Sequence, residues 1–161
     1  MHLDIMTFNI RYLNKHDEEH SWNRRNYAVI QTIKSHNHDI FGIQEGLVEQ
    51  VKYISDHLPV FRWVGVGRED GKEKGEFAAI FYSSKKFSLI DNGTFWLSKY
   101  ADKVGSNTRG NACVRICTWA TLQGKSSGEK IFVLNAHLDH RNKRARKRKI
   151  NQAKNRSFVP D

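Results

Sequence analysis

The sequence predicts an α/β (α+β) domain with a mixed, largely antiparallel sheet. Three observations carry this reading. Two stretches repeat apolar residues at helical spacing, and about eight short runs alternate or cluster them as strands do. Helices and strands alternate early in the chain, whereas strands follow one another later. Four Trp, five Tyr and nine Phe within 161 residues are enough to anchor one core.

Taken in order, residues 3–10 alternate and end in Asn9-Ile10-Arg11, a strand, and residues 14–20 form a polar loop. Ser21 or Asn23 caps a helix running to about Ser35, with Tyr27, Ile30 and Ile33 on one stripe. Asp39 leads into Ile40-Phe41-Gly42-Ile43, a buried strand that ends at Gln44-Glu45-Gly46. A second helix has Val48, Val51, Ile54 and Leu58 as its stripe, and Pro59 stops it. Strands then follow at 61–66, 76–82, 87–90, 94–97, 114–122 and 130–138. The intervening 68–75 is a charged loop with glycines, and Lys125-Ser126-Ser127-Gly128 is a hairpin turn. With no internal repeat, residues 1–140 read as one domain and 141–161 as a basic tail, either disordered or an incomplete helix.

The net charge of +10 is unevenly spread. Residues 1–140 carry 18 basic and 16 acidic side chains, and 141–161 carry nine basic and one acidic. A nucleic-acid inference from charge therefore attaches only to the tail, whose single aromatic, Phe158, gives little stacking capacity. Cys113 and Cys117 lie about 13 Å apart on an extended strand, beyond disulfide reach, and are expected to be reduced and buried. No apolar run is long enough to span a membrane, and the start lacks the regions of a signal peptide, so a cytoplasmic location is expected.

The chemistry-bearing residues emerge at strand ends. On one face of 131–139, Ile131 and Val133 give way to Asn135, His137 and Asp139. Arg115 shares its strand phase with Cys113, Cys117 and Trp119, and a guanidinium among apolar neighbours needs a carboxylate or phosphate partner. Asn9 and Glu45 end two strands, and Glu76 opens a third. An oxygen-rich set with few histidines favours Mg²⁺ or Mn²⁺ over zinc.

Six segments occur in a fixed order: Thr7-Phe8-Asn9-Ile10-Arg11, Gln44-Glu45-Gly46, Gly75-Glu76-Phe77, Thr94-Phe95-Trp96-Leu97-Ser98, Arg115-Ile116-Cys117-Thr118-Trp119 and Asn135-Ala136-His137-Leu138-Asp139-His140. Together they resemble the amino-terminal half of the endonuclease/exonuclease/phosphatase superfamily, nearest to its bacterial branch similar to the carbon-catabolite-repressor-type deadenylases. The resemblance implies a four-layer αββα sandwich and metal-dependent hydrolysis of a phosphate ester, either nucleic acid or a small phosphoester. It implies that Glu45 holds Mg²⁺, and that Asn9 helps place metal, water or phosphate. His137 would donate to the phosphate or leaving oxygen, with Glu76 orienting its ring. Arg115 would stabilise the site and contact phosphate, while Asn135 and Asp139 would face substrate.

There are departures. The family's Gly-Asp-Phe-Asn and Ser-Asp-His motifs are absent, and Arg109 stands where relatives often place Trp. These predict a weakly active or inactive fragment with much of its second sheet missing and one sheet face uncovered. No obligate protein partner is evident. Two alternatives stand beside this reading. One is a nucleic-acid-binding module using the tail; the other is a zinc hydrolase of metallo-β-lactamase type, suggested by Asn135-x-His137-x-Asp139-His140 and weakened by the missing first His.

Overall fold

The alternation at the start of the chain builds a parallel strand pair before anything else. In the computed structural model, which describes residues 2–108, 112–138, 147 and 149–153, β1 (Ile5–Asn9) lies parallel to β2 (Ile40–Gln44), with Asn9 opposite Gln44. The crossover between them is α1 (Trp22–Ser35), preceded by a 3₁₀ turn at Glu18–His20. After α2 (Val48–His57), Leu58 and Pro59 end the helical stripe and the chain returns as β3 (Phe61–Val64). Next come β4 (Ile80–Ser83), β5 (Phe87–Trp96), β6 (Ile116–Gly124) and β7 (Lys130–Ala136).

These strands form two sheets, ordered β1-β2-β4-β3 and β5-β6-β7. Period-2 alternation decides how they stack. Phe41, Ile43 and Phe81 turn to one side of the first sheet and are buried with Val29, Ile30 and Ile33 of α1 and Val51 and Ile54 of α2. Ile40, Ile80 and Tyr82 turn the other way and are buried with Phe87, Ala120 and Leu122 of the second sheet. The described residues therefore build helices, a sheet and a second sheet, a partial sandwich in which the sheets face each other. The expectation of an uncovered inner sheet face holds in part: Ile5 of β1, in register with Ile40, is 61% exposed, whereas the three-stranded second sheet covers β2 and β4. On its far side Cys117, Trp119, Leu134 and Ala136 pack with Phe95 and with Ala153 from the helical residues 149–153. Gln152 also donates to the carbonyls of Trp96 and Ser98, so this part of the basic segment is docked. Residues 141–146, 148 and 154–161 of the tail lie outside the described residues.

Two strand assignments change. The separate strands expected at 87–90 and 94–97 are one, because Asp91-Asn92-Gly93 stays paired with Thr121, Ala120 and Trp119, and the register shift between Leu89 and Asp91 falls at Ile90. Gly93 is required there, since a Cβ would stand 2.8 Å from the Trp119 indole nitrogen. The strand expected at 76–82 shortens to Ile80–Ser83, while Phe77 makes an isolated bridge to Gly46. At the next position only half of the ladder forms: the Ile43 amide donates to the Ala79 carbonyl (2.9 Å), while the Ile43 carbonyl accepts from the Asn135 side chain (2.8 Å). Cys117 is buried and its thiol is pushed up to about 12 by that burial, whereas Cys113 is partly exposed rather than buried. No helix among the described residues is long and apolar enough to cross a membrane.

Asn135 is the polar tie between the sheets. Its amide nitrogen donates to the Ile43 and Ala79 carbonyls at 2.8 Å each, and its oxygen accepts from Gln44 Nε2 at 2.7 Å. Replacing it by leucine removes all three bonds and leaves buried partners unsatisfied. Asn135→Leu is expected to destabilise the fold by about 2–4 kcal/mol, measured as a lower urea midpoint with unchanged slope.

Candidate active site

Strand ends from both sheets and the segment before β4 deliver five of the expected residues to one cluster. Asn9 closes β1, and Glu45 follows β2 with a φ of 67°, a left-handed conformation that costs a non-glycine residue about 1–2 kcal/mol. That turn lets the Asn9 amide donate to Glu45 Oε1 at 2.9 Å. The backbone amide of Arg11 donates in turn to Asn9 Oδ1 at 3.0 Å, and that of Tyr12 to Glu45 Oε2 at 3.4 Å. His137 lies just past β7, on the face set by Asn135. Its Nε2 is 3.7 Å from Glu45 Oε1, and its Nδ1 is 3.6 Å from Glu76 Oε2. Arg115 Nη1 donates to that same Nδ1 at 2.6 Å and lies 3.7 Å from Glu76 Oε2.

A guanidinium has no acceptor, so the Arg115 contact fixes the imidazole tautomer: Nδ1 is the acceptor and Nε2 carries the proton. The proton-bearing nitrogen thus points towards Glu45. Glu76 balances the cations, with Arg68 Nη1 donating to its Oε2 at 2.6 Å. Burial acts to raise the Glu76 pKa, but His137, Arg68 and Arg115 together outweigh it and hold the carboxyl below its usual range. The side chains of Glu45, Glu76 and His137 keep 20%, 17% and 23% exposure, whereas that of Arg115 keeps 4%. The first three are thus open to a ligand and Arg115 is sealed behind them.

Two sequence expectations are corrected. Arg115 precedes β6 by one residue, so its side chain escapes the phase of Cys117 and Trp119 and turns to Glu76 and His137. Asn135, expected to face substrate, has its carboxamide committed to the chain itself. Asp139, His140 and Arg109 lie outside the described residues.

Several supporting residues gave no signal in the sequence. Gln50, fully buried in α2, accepts from the Leu13 amide at 2.8 Å and donates to the Arg11 carbonyl at 2.9 Å. Arg25 donates to the carbonyls of Ile10 and Arg11, and Arg11 itself pairs with Asp17. These bonds hold the loop after Asn9. Arg68, inside the charged loop, is the strongest anchor of Glu76.

Glu45 and Asn9 offer hard oxygen atoms beside exposed space. One carboxylate with an amide oxygen suits Mg²⁺, which keeps several waters and needs few protein ligands. Among the described residues no group of three or more His, Cys, Asp or Glu is placed to hold a metal.

The fold matches solved structures closely. Against an endonuclease/exonuclease/phosphatase of Bacteroides vulgatus the TM-score is 0.90 at 40% identity, covering 93% of this chain and 57% of that one. Over nearly its whole length the chain is similar to solved members of the endonuclease/exonuclease/phosphatase superfamily. A mannosyl-6-phosphatase of Bacteroides thetaiotaomicron gives a TM-score of 0.91 at 35% identity, covering 97% of this chain and 59% of that one. The Ccr4 3'-5'-exoribonuclease subunit of the CCR4-Not complex of Mycosarcoma maydis is 30% identical over 134 residues, 73% of this chain and 20% of that protein. The chain thus spans under two thirds of the length of each. No family model matches the chain.

Because the folded-state pKa of Glu76 is depressed, its linkage to Arg68, Arg115 and His137 stabilises the fold fully above the unfolded-state value. It is lost as pH falls from there through the folded-state value. In acid titrations followed by tryptophan fluorescence, Glu76→Gln is expected to be less stable at neutral pH and to show a shallower loss over that window.

Proposed function

We propose that this chain supplies the metal- and phosphate-facing part of a phosphoester hydrolase, acting on a nucleic acid or a small phosphate ester. The observation that supports it most is the pairing of Glu45, turned outward by a left-handed backbone, with a His137 whose Nε2–H faces the same space. The related proteins are a phosphatase and an exoribonuclease, both of which act on phosphate esters. Glu45 and Asn9 would hold Mg²⁺ or Mn²⁺. Such an ion neutralises charge on phosphate oxygens and lowers the pKa of bound water.

The chain's own residues divide the remaining work. The Asn9 amide aims Glu45 by donating to Oε1. His137 would donate a hydrogen bond from Nε2–H to a phosphate oxygen or to the leaving oxygen, a bond that strengthens as charge develops there. Arg115 is a positioning residue: by donating to Nδ1 it prevents the other tautomer, which would leave Nε2 with no proton to give. Glu76 offsets the charge of Arg115 and Arg68 and flanks the imidazole, 3.6 Å from Nδ1. Slow turnover by the 161-residue chain belongs to the same proposal.

Two measurements test this. Glu45→Gln is expected to weaken Mn²⁺ binding, read by electron paramagnetic resonance, by at least about tenfold. His137→Gln should leave Mn²⁺ binding unchanged and lower turnover of a phosphodiester by about 10²–10³-fold. Mn²⁺ affinity indifferent to Glu45→Gln would overturn the assignment.

A further inference from the structure

Three groups approach a single oxygen, Oε2 of Glu76: Arg68 Nη1 at 2.6 Å, His137 Nδ1 at 3.6 Å and Arg115 Nη1 at 3.7 Å. Of these, only the Arg68 contact has the length of a hydrogen bond. Arg115 Nη1 donates elsewhere, to His137 Nδ1 at 2.6 Å. That is the reverse of the preference these groups would show alone. A hydrogen bond between two charged partners is roughly twice as strong as one between neutral ones, and an accepting imidazole nitrogen bears no charge. With both acceptors in reach, a guanidinium would turn to the carboxylate. At 3.7 Å the Glu76 oxygen stands just beyond that reach, and Arg68 is the group that holds it there.

The loop at 67–75 fixes Arg68 in this place. The Arg68 amide donates to the Glu76 carbonyl at 3.2 Å, and the Arg68 carbonyl accepts from Trp96 Nε1, at the end of β5, at 2.7 Å. Between these anchors the loop closes on itself. The Gly71 amide donates to the Gly67 carbonyl at 3.0 Å, and Asp70 Oδ1 accepts from the amides of Lys72 and Lys74 at 2.8 and 2.9 Å. Gly75, with a φ of 85°, makes room for the Arg68 stem, since a Cβ there would lie 3.1 Å from Arg68 Cγ. The Arg68 side chain keeps 16% exposure, so water competes little for its bond to Glu76.

We propose that Arg68 is a positioning residue for the phosphoester chemistry: by drawing Oε2 of Glu76 towards itself, it leaves Arg115 on His137 Nδ1 and so keeps the ring proton on Nε2. This rests on the reading of His137 as the donor to phosphate or leaving oxygen, and it places control of that donor in a loop outside the cluster of strand ends. Without the Arg68 guanidinium, Oε2 closes on Arg115 Nη1 and Arg115 leaves Nδ1. The ring then releases its proton from Nε2 to water and takes one from water at Nδ1, where Glu76 accepts from it. The charge of the ring is unchanged, but Nε2 has no proton to offer.

The test uses the full chain with Arg68→Met, which keeps much of the stem and removes the donors, and Arg68→Lys, which keeps a cation. ¹⁵N imidazole NMR at alkaline pH reports which ring nitrogen of His137 carries the proton. The parent should show the Nε2–H form. Arg68→Met should raise the Nδ1–H to Nε2–H ratio by about tenfold, and Arg68→Lys should lie closer to the parent. Mn²⁺ binding should be the same in all three, while kcat for a phosphodiester should fall about tenfold in Arg68→Met with KM nearly unchanged. Should Arg68→Met not fold, the shorter Arg68→Gln is read in its place with the same expectation. A parent ring already in the Nδ1–H form would overturn the role given to His137 itself. A parent in the Nε2–H form with an unmoved tautomer in the folded variant would overturn the role of Arg68 alone, as would an Arg68→Lys ring shifted as far as that of Arg68→Met.

Discussion

The carboxamide of Asn135 sets the distance between the two sheets, and the candidate centre depends on that distance. A buried amide must find partners for both its donors and its acceptor, and here all of them come from β2 and the segment leading into β4. Room for it comes from Gly42: a Cβ there would lie 2.8 Å from Asn135 Cγ. Packing and polarity therefore fix the same register. Two residues later, on the same face, the chain presents His137. A shift of one residue would turn that imidazole to the far side of the sheet, away from both carboxylates.

This dependence explains what the sequence could and could not disclose. Asn9, Glu45, Glu76 and His137 were visible because each sits where an apolar run turns polar, a pattern that needs only strand phase. Asn135 carried the same mark, yet it binds backbone. Polarity at a strand end signals that a side chain needs partners without saying whether they are protein or ligand. Arg115 illustrates a different failure: phase reasoning applies only inside a regular strand, and β6 begins one residue later. Arg68, Gln50 and Arg25 were silent for a third reason. Arg68 lies in a loop, where no periodicity predicts which way a side chain reaches. Gln50 and Arg25, although on helices, bond to the backbone of a loop whose path has no periodic signal. Fold class was legible from the order of elements, but the union of two expected strands into β5 was not, because Asp91-Asn92-Gly93 has the composition of a turn although it stays paired with β6.

The charge balance of the cluster shows why such a centre can stay assembled before anything binds. Glu45 and Glu76 carry two negative charges, and Arg68 and Arg115 two positive ones, with the His137 ring between them. Each ion has an opposite charge or a hydrogen-bond donor beside it, so partial burial leaves no bare charge to be neutralised by protonation. The pairing is also lopsided. Both guanidiniums lean on Glu76, while among the described residues Glu45 accepts hydrogen bonds from the amides of Asn9 and Tyr12, with the Arg11 and Arg25 charges acting on it from further off. Glu76 therefore has its charge satisfied internally, and Glu45 keeps its own for something brought from outside. A divalent cation and a doubly charged phosphate add no net charge to this arrangement, so binding them together costs the fold little electrostatically, whereas either alone would disturb a balance that is already closed.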